Sequence, residues 1–450
     1  MNKPVIIYNA LLVNEGKKYP GALLISDGII EKVFDDPVPQ AHMTDNALLI
    51  NAKGKLLIPG VIDDQVHFRE PGLTHKADLE SESRAAVAGG VTSFMEMPNT
   101  SPPTLTQELL EQKFRLAAEK SLANYSFYMG TSNDNADEVL KTNPGNVCGI
   151  KIFLGASTGN LLVDDHKTLE KIFSDSKMLI AVHCEDENII RQNSATMKGK
   201  YGENVPIAMH PAIRSREACY KSSEFAVNLA KEYGTRLHVL HLSTADEMGL
   251  FDNELPLKEK KITSEVCVHH LWFAQEDYEN LGTHIKWNPA IKSASDREAL
   301  LQALLDNRLD VVATDHAPHT LQEKSNTYFN APSGGPLVQH ALPAMLEFFH
   351  QGRMSLEKIV EKMCHAPAIC FRVKKRGYIR PGYYADLVLV DLNAKHTVTK
   401  GNIYYKCGWS PFEGQTFHSA VTHTFVNGNL VYEEGRIHDT AKGMRLLFDH

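Results

Sequence analysis

The sequence predicts an α/β fold in which a (β/α)8 TIM barrel is inserted into a small β-sandwich formed by both chain ends. Three observations carry this expectation. Through the middle of the chain, eight short apolar runs alternate with helical patterns. Such alternation implies a parallel sheet, and eight units over roughly 310 residues suit a closed barrel. The two ends differ in texture, being short β-branched runs cut by tight turns. No GxGxxG or other phosphate loop follows any run, which ranks the competing doubly wound sheet lower.

Taken in order, residues 1–57 contain Ser26-Asp27-Gly28 between ALLI and IIEKV, and residues 376–450 contain Asn427-Gly428 between THTFV and NLVYE. Asp-Gly and Asn-Gly between apolar runs are strong hairpin signals. Neither end is long enough for an independent domain, so the two are expected to pair into one sandwich, with residues 58–375 as the barrel. The barrel runs are GVID (60–63), VTSFMEM (91–97), YSFYMG (125–130), GIKIFL (149–154), MLIAVHC (178–184), RLHVLHL (236–242), ITSEVCV (262–268) and LDVVATD (309–315). Between them, REACYKSSEFAVNLAKEY repeats Phe225, Leu229 and Tyr233 every four positions, as one helix face requires. Ser295 and Glu298 form a capping box before ALLQALL.

Composition narrows the function. The 450 residues carry 47 basic against 55 acidic side chains, a balance of -8. That leaves no basic field for nucleic acid or anionic lipid. Seven scattered cysteines without a CxxC pair read as a reduced compartment. The start, MNKPVIIYNALLV, lacks the long apolar region of a signal peptide, and no run of about 18 apolar residues could span a membrane. The expectation is a cytoplasmic enzyme with a small-molecule substrate.

The chemistry lies in what ends each run. DQVHFREPG follows GVID, PNT follows VTSFMEM, and Lys151 sits within GIKIFL. His183-Cys184-Glu185 ends the fifth run, His241 the sixth, His269-His270 the seventh and Asp315-His316-Ala317-Pro318-His319 the eighth. The C-terminal ends of barrel strands are where active sites lie. Each residue has an ordinary reading: a core histidine, a turn-capping Asp315, a lysine snorkelling to the rim. Six strands doing the same outweighs those readings. Imidazoles and carboxylates without paired cysteines suit zinc, with manganese and cobalt as alternatives. A desolvated Lys151 becomes a neutral amine able to capture carbon dioxide as a bridging carbamate, and Asp315 beside the metal would serve as general base.

QVHFREPG, EMPN, the strand lysine, the two single histidines and ATDHAPHT together resemble the class I dihydroorotases of the amidohydrolase superfamily. The likeness runs in order along nearly the whole chain. It implies metal binding by His67, Lys151 (N6-carboxylated), His183, His241 and Asp315, with Asp315 catalytic. It implies that Arg69, Asn99 and His319 hold a substrate carboxylate, and that Asn288 and the loop 331–336, as a lid, contact the ring. The His269-His270 pair also resembles the family; core packing is its simpler reading. One departure stands out: Gln65 occupies the first position of the family's His-x-His, making it a weak or lost ligand. One tight Zn2+ and a looser second are therefore expected. The implied reaction is the reversible hydrolysis of (S)-dihydroorotate to N-carbamoyl-L-aspartate in pyrimidine biosynthesis. The alternatives are an allantoinase or dihydropyrimidinase, and a noncatalytic structural partner of aspartate transcarbamoylase. A homodimer, with association to aspartate transcarbamoylase as in some relatives, is the expected assembly.

Overall fold

The computed structural model describes residues 3–35, 47–155, 161–439 and 441–449. The N-terminal strands are β1 (Val5–Asn14), β2 (Lys17–Ser26), β3 (Ile29–Asp35), β4 (Leu48–Asn51) and β5 (Leu56–Pro59). The barrel strands are β6 (Val61–Val66), β7 (Val91–Glu96), β8 (Asn124–Phe127), β9 (Met129–Gly130), β10 (Ile150–Phe153), β11 (Ile180–His183), β12 (Leu237–Val239), β13 (Ile262–Cys267) and β14 (Val311–Ala313). The chain ends with β15 (Leu387–Asp391), β16 (His396–Thr397), β17 (Thr416–Phe417), β18 (Ala420–Val426), β19 (Asn429–Glu433) and β20 (Arg436–Ile437).

All eight runs form strands, the third split into β8 and β9. Pairing is parallel from β6 through β8 and from β9 through β14. The ring closes where Val66 bridges His316 in parallel and the His67 N–H donates to the His316 carbonyl at 2.7 Å. β6 runs to Val66, past the expected end at residue 63, so Gln65 lies within the strand. Alternation then sends Asp63, Gln65 and His67 to one side.

The chain ends meet in a single sheet of order β20-β19-β18-β15-β5-β1-β2-β3. Its seam is the antiparallel pair β5–β15, with Leu57 opposite Leu389. Both expected hairpins form, with Asp27 at φ 47° and Gly28 at 82°, and Asn427 at 50° and Gly428 at 74°. Two successive positive φ angles match the right-handed twist of the flanking strands. The turns also abut: a Cβ on Gly428 would lie 2.7 Å from the Gly28 Cα. Glycine is therefore required there by close approach as well as by conformation.

Two helix expectations are corrected. The helix Arg216–Tyr233 forms, but Phe225 and Leu229 are only partly buried and Tyr233 is 36% exposed. Its buried face is Ala218, Ser222, Ala226 and Ala230 with Cys219, Ser223 and Val227. Small side chains let the helix lie close to the barrel, and the larger ones pack at its flanks. The helix Ala294–Leu305 is capped by Ser293 with Asp296, not by Ser295 with Glu298. Ser293 is the residue with extended backbone (φ -66°, ψ 161°), as an N-cap needs. Ser295 is already in the first turn, and Glu298 is drawn outward to Gln302 and Arg353. No helix among the described residues is long and apolar enough to cross a membrane.

Candidate active site

At the C-terminal rim of the barrel lies a cavity of about 550 Å3. Gln65, His67, Arg69, Asn99, Lys151, His183, His241, Asn288, Asp315 and His319 all line it. The fold thus gathers every residue singled out in the sequence for a ligand, catalytic or substrate role. Pro332, Ser333 and Gly334 of the expected lid form part of the wall.

Three of these residues hold left-handed backbone: Arg69 at φ 69°, His241 at 39° and Asp315 at 46°. Such a conformation costs about 1–3 kcal/mol for a non-glycine residue and persists only where surroundings enforce it. Here they do. The His241 N–H donates to Glu265 Oε1 at 3.0 Å, and the Arg69 carbonyl accepts from the Leu73 N–H at 3.0 Å. Thr314, just before Asp315, donates its hydroxyl to Asp63 at 2.6 Å.

Two close contacts between side chains of the ligand type lie across the cavity floor. His67 Nδ1 lies 2.7 Å from Asn99 Oδ1, an acceptor, so it carries the ring proton. Burial lowers the His67 pKa and keeps the ring neutral, leaving the Nε2 lone pair 3.1 Å from Asp315 Oδ1. His183 donates from Nε2 to Glu185 at 3.0 Å, which turns its Nδ1 lone pair toward His241 Nε2 at 2.9 Å. Burial would raise the Glu185 pKa, but the Arg214 charge and the His183 hydrogen bond hold it down at about 2. A carboxylate that fixes the outer nitrogen of an imidazole is the usual support of a metal-binding histidine. Beside them, Lys151 Nζ is buried without a hydrogen-bond partner among the described residues. Burial brings its pKa down to about 7. The orphaned Lys151 nitrogen, together with the His67 Nε2 and His183 Nδ1 lone pairs and the Asp315 carboxylate, fits a divalent cation.

Gln65 is buried and offers its amide nitrogen, not its oxygen, to Asp315 Oδ1 at 3.3 Å. Its oxygen faces the Cys267 thiol at 3.7 Å. An amide N–H, a donor without a lone pair for a cation, thus faces Asp315 there.

The other side of the cavity is cationic. Arg69 Nε donates to the Pro318 carbonyl at 3.1 Å, and its Nη2 lies 3.1 Å from His319 Nε2. Burial lowers the Arg69 pKa to about 10, and the group stays charged at neutral pH. The Asn288 Oδ1 is buried and unpartnered among the described residues.

Among the described residues, two further groups each bring their ligand-type atoms within 4.8 Å: Cys267 with His269 and His270, and Asp64 with His238 and Glu265. Neither lines the cavity. His269 stacks on Trp287 at 4.4 Å, and burial pushes the Cys267 thiol well up, so this group is core packing, as expected. For His238, burial alone would lower the pKa. Its ion pairs to Asp64 (3.2 Å) and Glu265 (3.3 Å) instead carry it up to about 9. A proton already satisfies that cluster.

Sequence reasoning placed Glu185 at the strand end beside His183 without giving it a role, and it missed Arg214 and Lys76. Arg214 and Lys76 reach the site from loops and carry no local pattern.

A closed parallel barrel with imidazole, amine and carboxylate groups around one polar rim cavity defines the class of protein: a (β/α)8 enzyme whose cavity gathers side chains of the types that ligate metals. Residues 56–431 match the model of the amidohydrolase family. Dihydroorotase from Halobacterium salinarum is 34% identical over 86% of this chain and 89% of its own. Allantoinase from Deinococcus radiodurans is 32% identical over 99% of each chain. The structure of L-hydantoinase from Arthrobacter aurescens superposes with a TM-score of 0.92 at 28% identity, over 98% of this chain and 99% of that one. The chain belongs to the amidohydrolase family, and it is a cyclic amidohydrolase.

Proposed function

We propose that this enzyme is a zinc-dependent dihydroorotase, opening the ring of (S)-dihydroorotate to N-carbamoyl-L-aspartate and closing it again. The observation that carries this reading is the convergence of Arg69 and His319 at 3.1 Å in the same cavity as Lys151, His183 and His241. A guanidinium fork beside an imidazole donor suits a ring carboxylate, which dihydroorotate has and an unsubstituted ring lacks. The dihydroorotase relatives support the same assignment.

Lys151, His183, His241, His67 and Asp315 are the residues that would hold the metal, with Lys151 as a carbamate. The unprotonated Lys151 amine attacks carbon dioxide, forming an N–C bond and releasing a proton, and two oxygens replace one nitrogen as ligand atoms. Bound zinc would supply Lewis-acid polarisation of the ring carbonyl and an acidified water. Asp315 accepts the water proton and returns it to the leaving ring nitrogen. Arg69, Asn99 and His319 fix the carboxylate, so the scissile amide is held against Asp315. Asn288 aims a free carbonyl oxygen at the ring N–H groups.

The substrate test compares turnover of dihydroorotate, dihydrouracil and allantoin on one zinc-loaded preparation. Dihydroorotate is expected to exceed the others by about 100-fold or more in kcat/KM, the scale of a lost charged hydrogen bond or two. Comparable turnover of dihydrouracil overturns the assignment in favour of a hydantoinase-type activity. Preference for allantoin would favour the reading suggested by the Deinococcus relative. No metal uptake and no turnover of any ring would favour a noncatalytic role.

A further inference from the structure

We infer that Lys76 is a positioning residue of the carboxylate subsite, holding His319 in the one tautomer that can donate to a bound carboxylate. The inference rests on the dihydroorotase reading. Lys76 Nζ lies 3.0 Å from His319 Nδ1 and 2.9 Å from Glu323 Oε1, at the edge of the cavity. An ammonium group has donors only, so Nδ1 must present its lone pair. A neutral ring then carries its proton on Nε2, and burial with the nearby Arg69, Lys76 and Lys324 charges disfavours a second proton. Nε2 faces the Ser333 carbonyl at 3.0 Å and Arg69 Nη2 at 3.1 Å.

Two donors, Arg69 Nη2–H and His319 Nε2–H, therefore meet at one place in the cavity. A carboxylate oxygen seated there accepts from Arg69 and shares the Nε2–H that the Ser333 carbonyl accepts at 3.0 Å. With Lys76 removed, the ring is free to move its proton to Nδ1. Nε2 would then accept from Arg69, so the imidazole donor is lost and the guanidinium edge is tied up. Glu323 keeps Lys76 in place and is itself fixed, accepting from the Thr320 N–H at 2.9 Å in the capping box of the helix Leu321–Lys324.

The test uses the zinc-loaded enzyme, Lys76→Met and Lys76→Arg. Lys76→Met is expected to raise KM for dihydroorotate by about 10- to 100-fold with kcat within about threefold, the signature of lost ground-state and transition-state binding alike. Turnover of dihydrouracil, which has no carboxylate, should not change, and Lys76→Arg should recover most of the KM. In parallel, 15N spectra of histidine-labelled protein, with His319 assigned from its loss in His319→Asn, should show an unprotonated Nδ1 in the parent and a protonated one in Lys76→Met. An unchanged KM, or equal losses for both rings, overturns the inference, as does an unchanged tautomer. If the parent ignores the ring carboxylate, the dihydroorotase reading fails, and the spectra still decide whether Lys76 sets the tautomer.

Discussion

Arg69 shows how much geometry one side chain carries at this site. Its backbone is left-handed, its Nε is anchored on Pro318 and only the far edge of the fork is left for the cavity. Lysine would keep the charge and lose that edge. Arg69→Lys is therefore expected to lower kcat/KM for dihydroorotate by about 10- to 100-fold, roughly 1.5–3 kcal/mol, with little change for dihydrouracil. Gln65 poses the complementary question. Its amide donates to Asp315, so one imidazole is missing from the position shared by His67, Lys151 and Asp315. The position shared by Lys151, His183 and His241 keeps three ligands and should fill first. Titrating zinc into metal-stripped protein should show one tight and one weak site, and Gln65→His should tighten the weak one without abolishing turnover. Two equally tight sites in the parent would show that the glutamine substitutes fully.

At the scale of elements, the segment 331–336 has no helix or regular strand, yet it is not free-standing. Lys324, buried, donates to the carbonyls of Lys286 (3.2 Å), Pro332 (2.9 Å) and Gly334 (2.7 Å). Three acceptors match the three protons of an ammonium, although burial, then Lys286 and Arg69, push its pKa well down. Lys286 ties the same region through the Tyr328 and Ala331 carbonyls, both at 2.6 Å. Lys324→Met should leave the Pro332 and Gly334 carbonyls without a donor, costing about 1–3 kcal/mol each at the upper bound, while the Lys286 carbonyl keeps the Gly334 N–H at 2.8 Å. The expected readout is faster proteolysis between residues 325 and 336 and a raised KM, because Ser333 and Gly334 line the cavity. Unchanged cleavage would mean that the loop is held by other contacts. The same scale shows why one helix face was misread. In Arg216–Tyr233 the four-residue repeat of large side chains was legible, but close approach to a barrel selects alanine, serine and cysteine.

At the scale of the whole molecule, several histidines are buried and neutral. Burial, followed by the His396 and His316 charges, takes His340 down to about 3, and burial takes His270 to about 3. His340 accepts at Nδ1 from the hydroxyls of Tyr405 (3.0 Å) and Ser410 (3.1 Å). Because the folded value lies below the unfolded value near 6.5, the unfolded chain binds the proton first as pH falls. The stability contribution is complete above pH 6.5 and shrinks by about 1.4 kcal/mol per pH unit per histidine down to about pH 3. Denaturant midpoints should therefore drop steeply between pH 6 and pH 4. His340→Gln, which keeps an acceptor but cannot titrate, should make that drop shallower. An identical slope would show that His340 does not remain neutral in the fold.

The order of strands, the closure of the barrel and the two hairpins were legible because they follow from period, spacing and turn chemistry, which act locally along the chain. The gathering of the candidate residues was legible for a related reason: on a parallel barrel every strand's C-terminal end faces the same rim, so residues far apart in sequence share one cavity. That is why His67, Lys151, His183, His241, Asp315, Arg69, Asn99, Asn288 and His319, candidates in the sequence, all line it. Only the tertiary structure decided which atom of each faces which. The turn of Gln65 toward Asp315, the hold of Glu185 and Arg214 on His183, and the approach of Lys76 to His319 depend on distances of about 3 Å between segments with no common sequence register. Hydrogen-bond direction and protonation are set by such neighbours, and a linear pattern of residues carries no record of them.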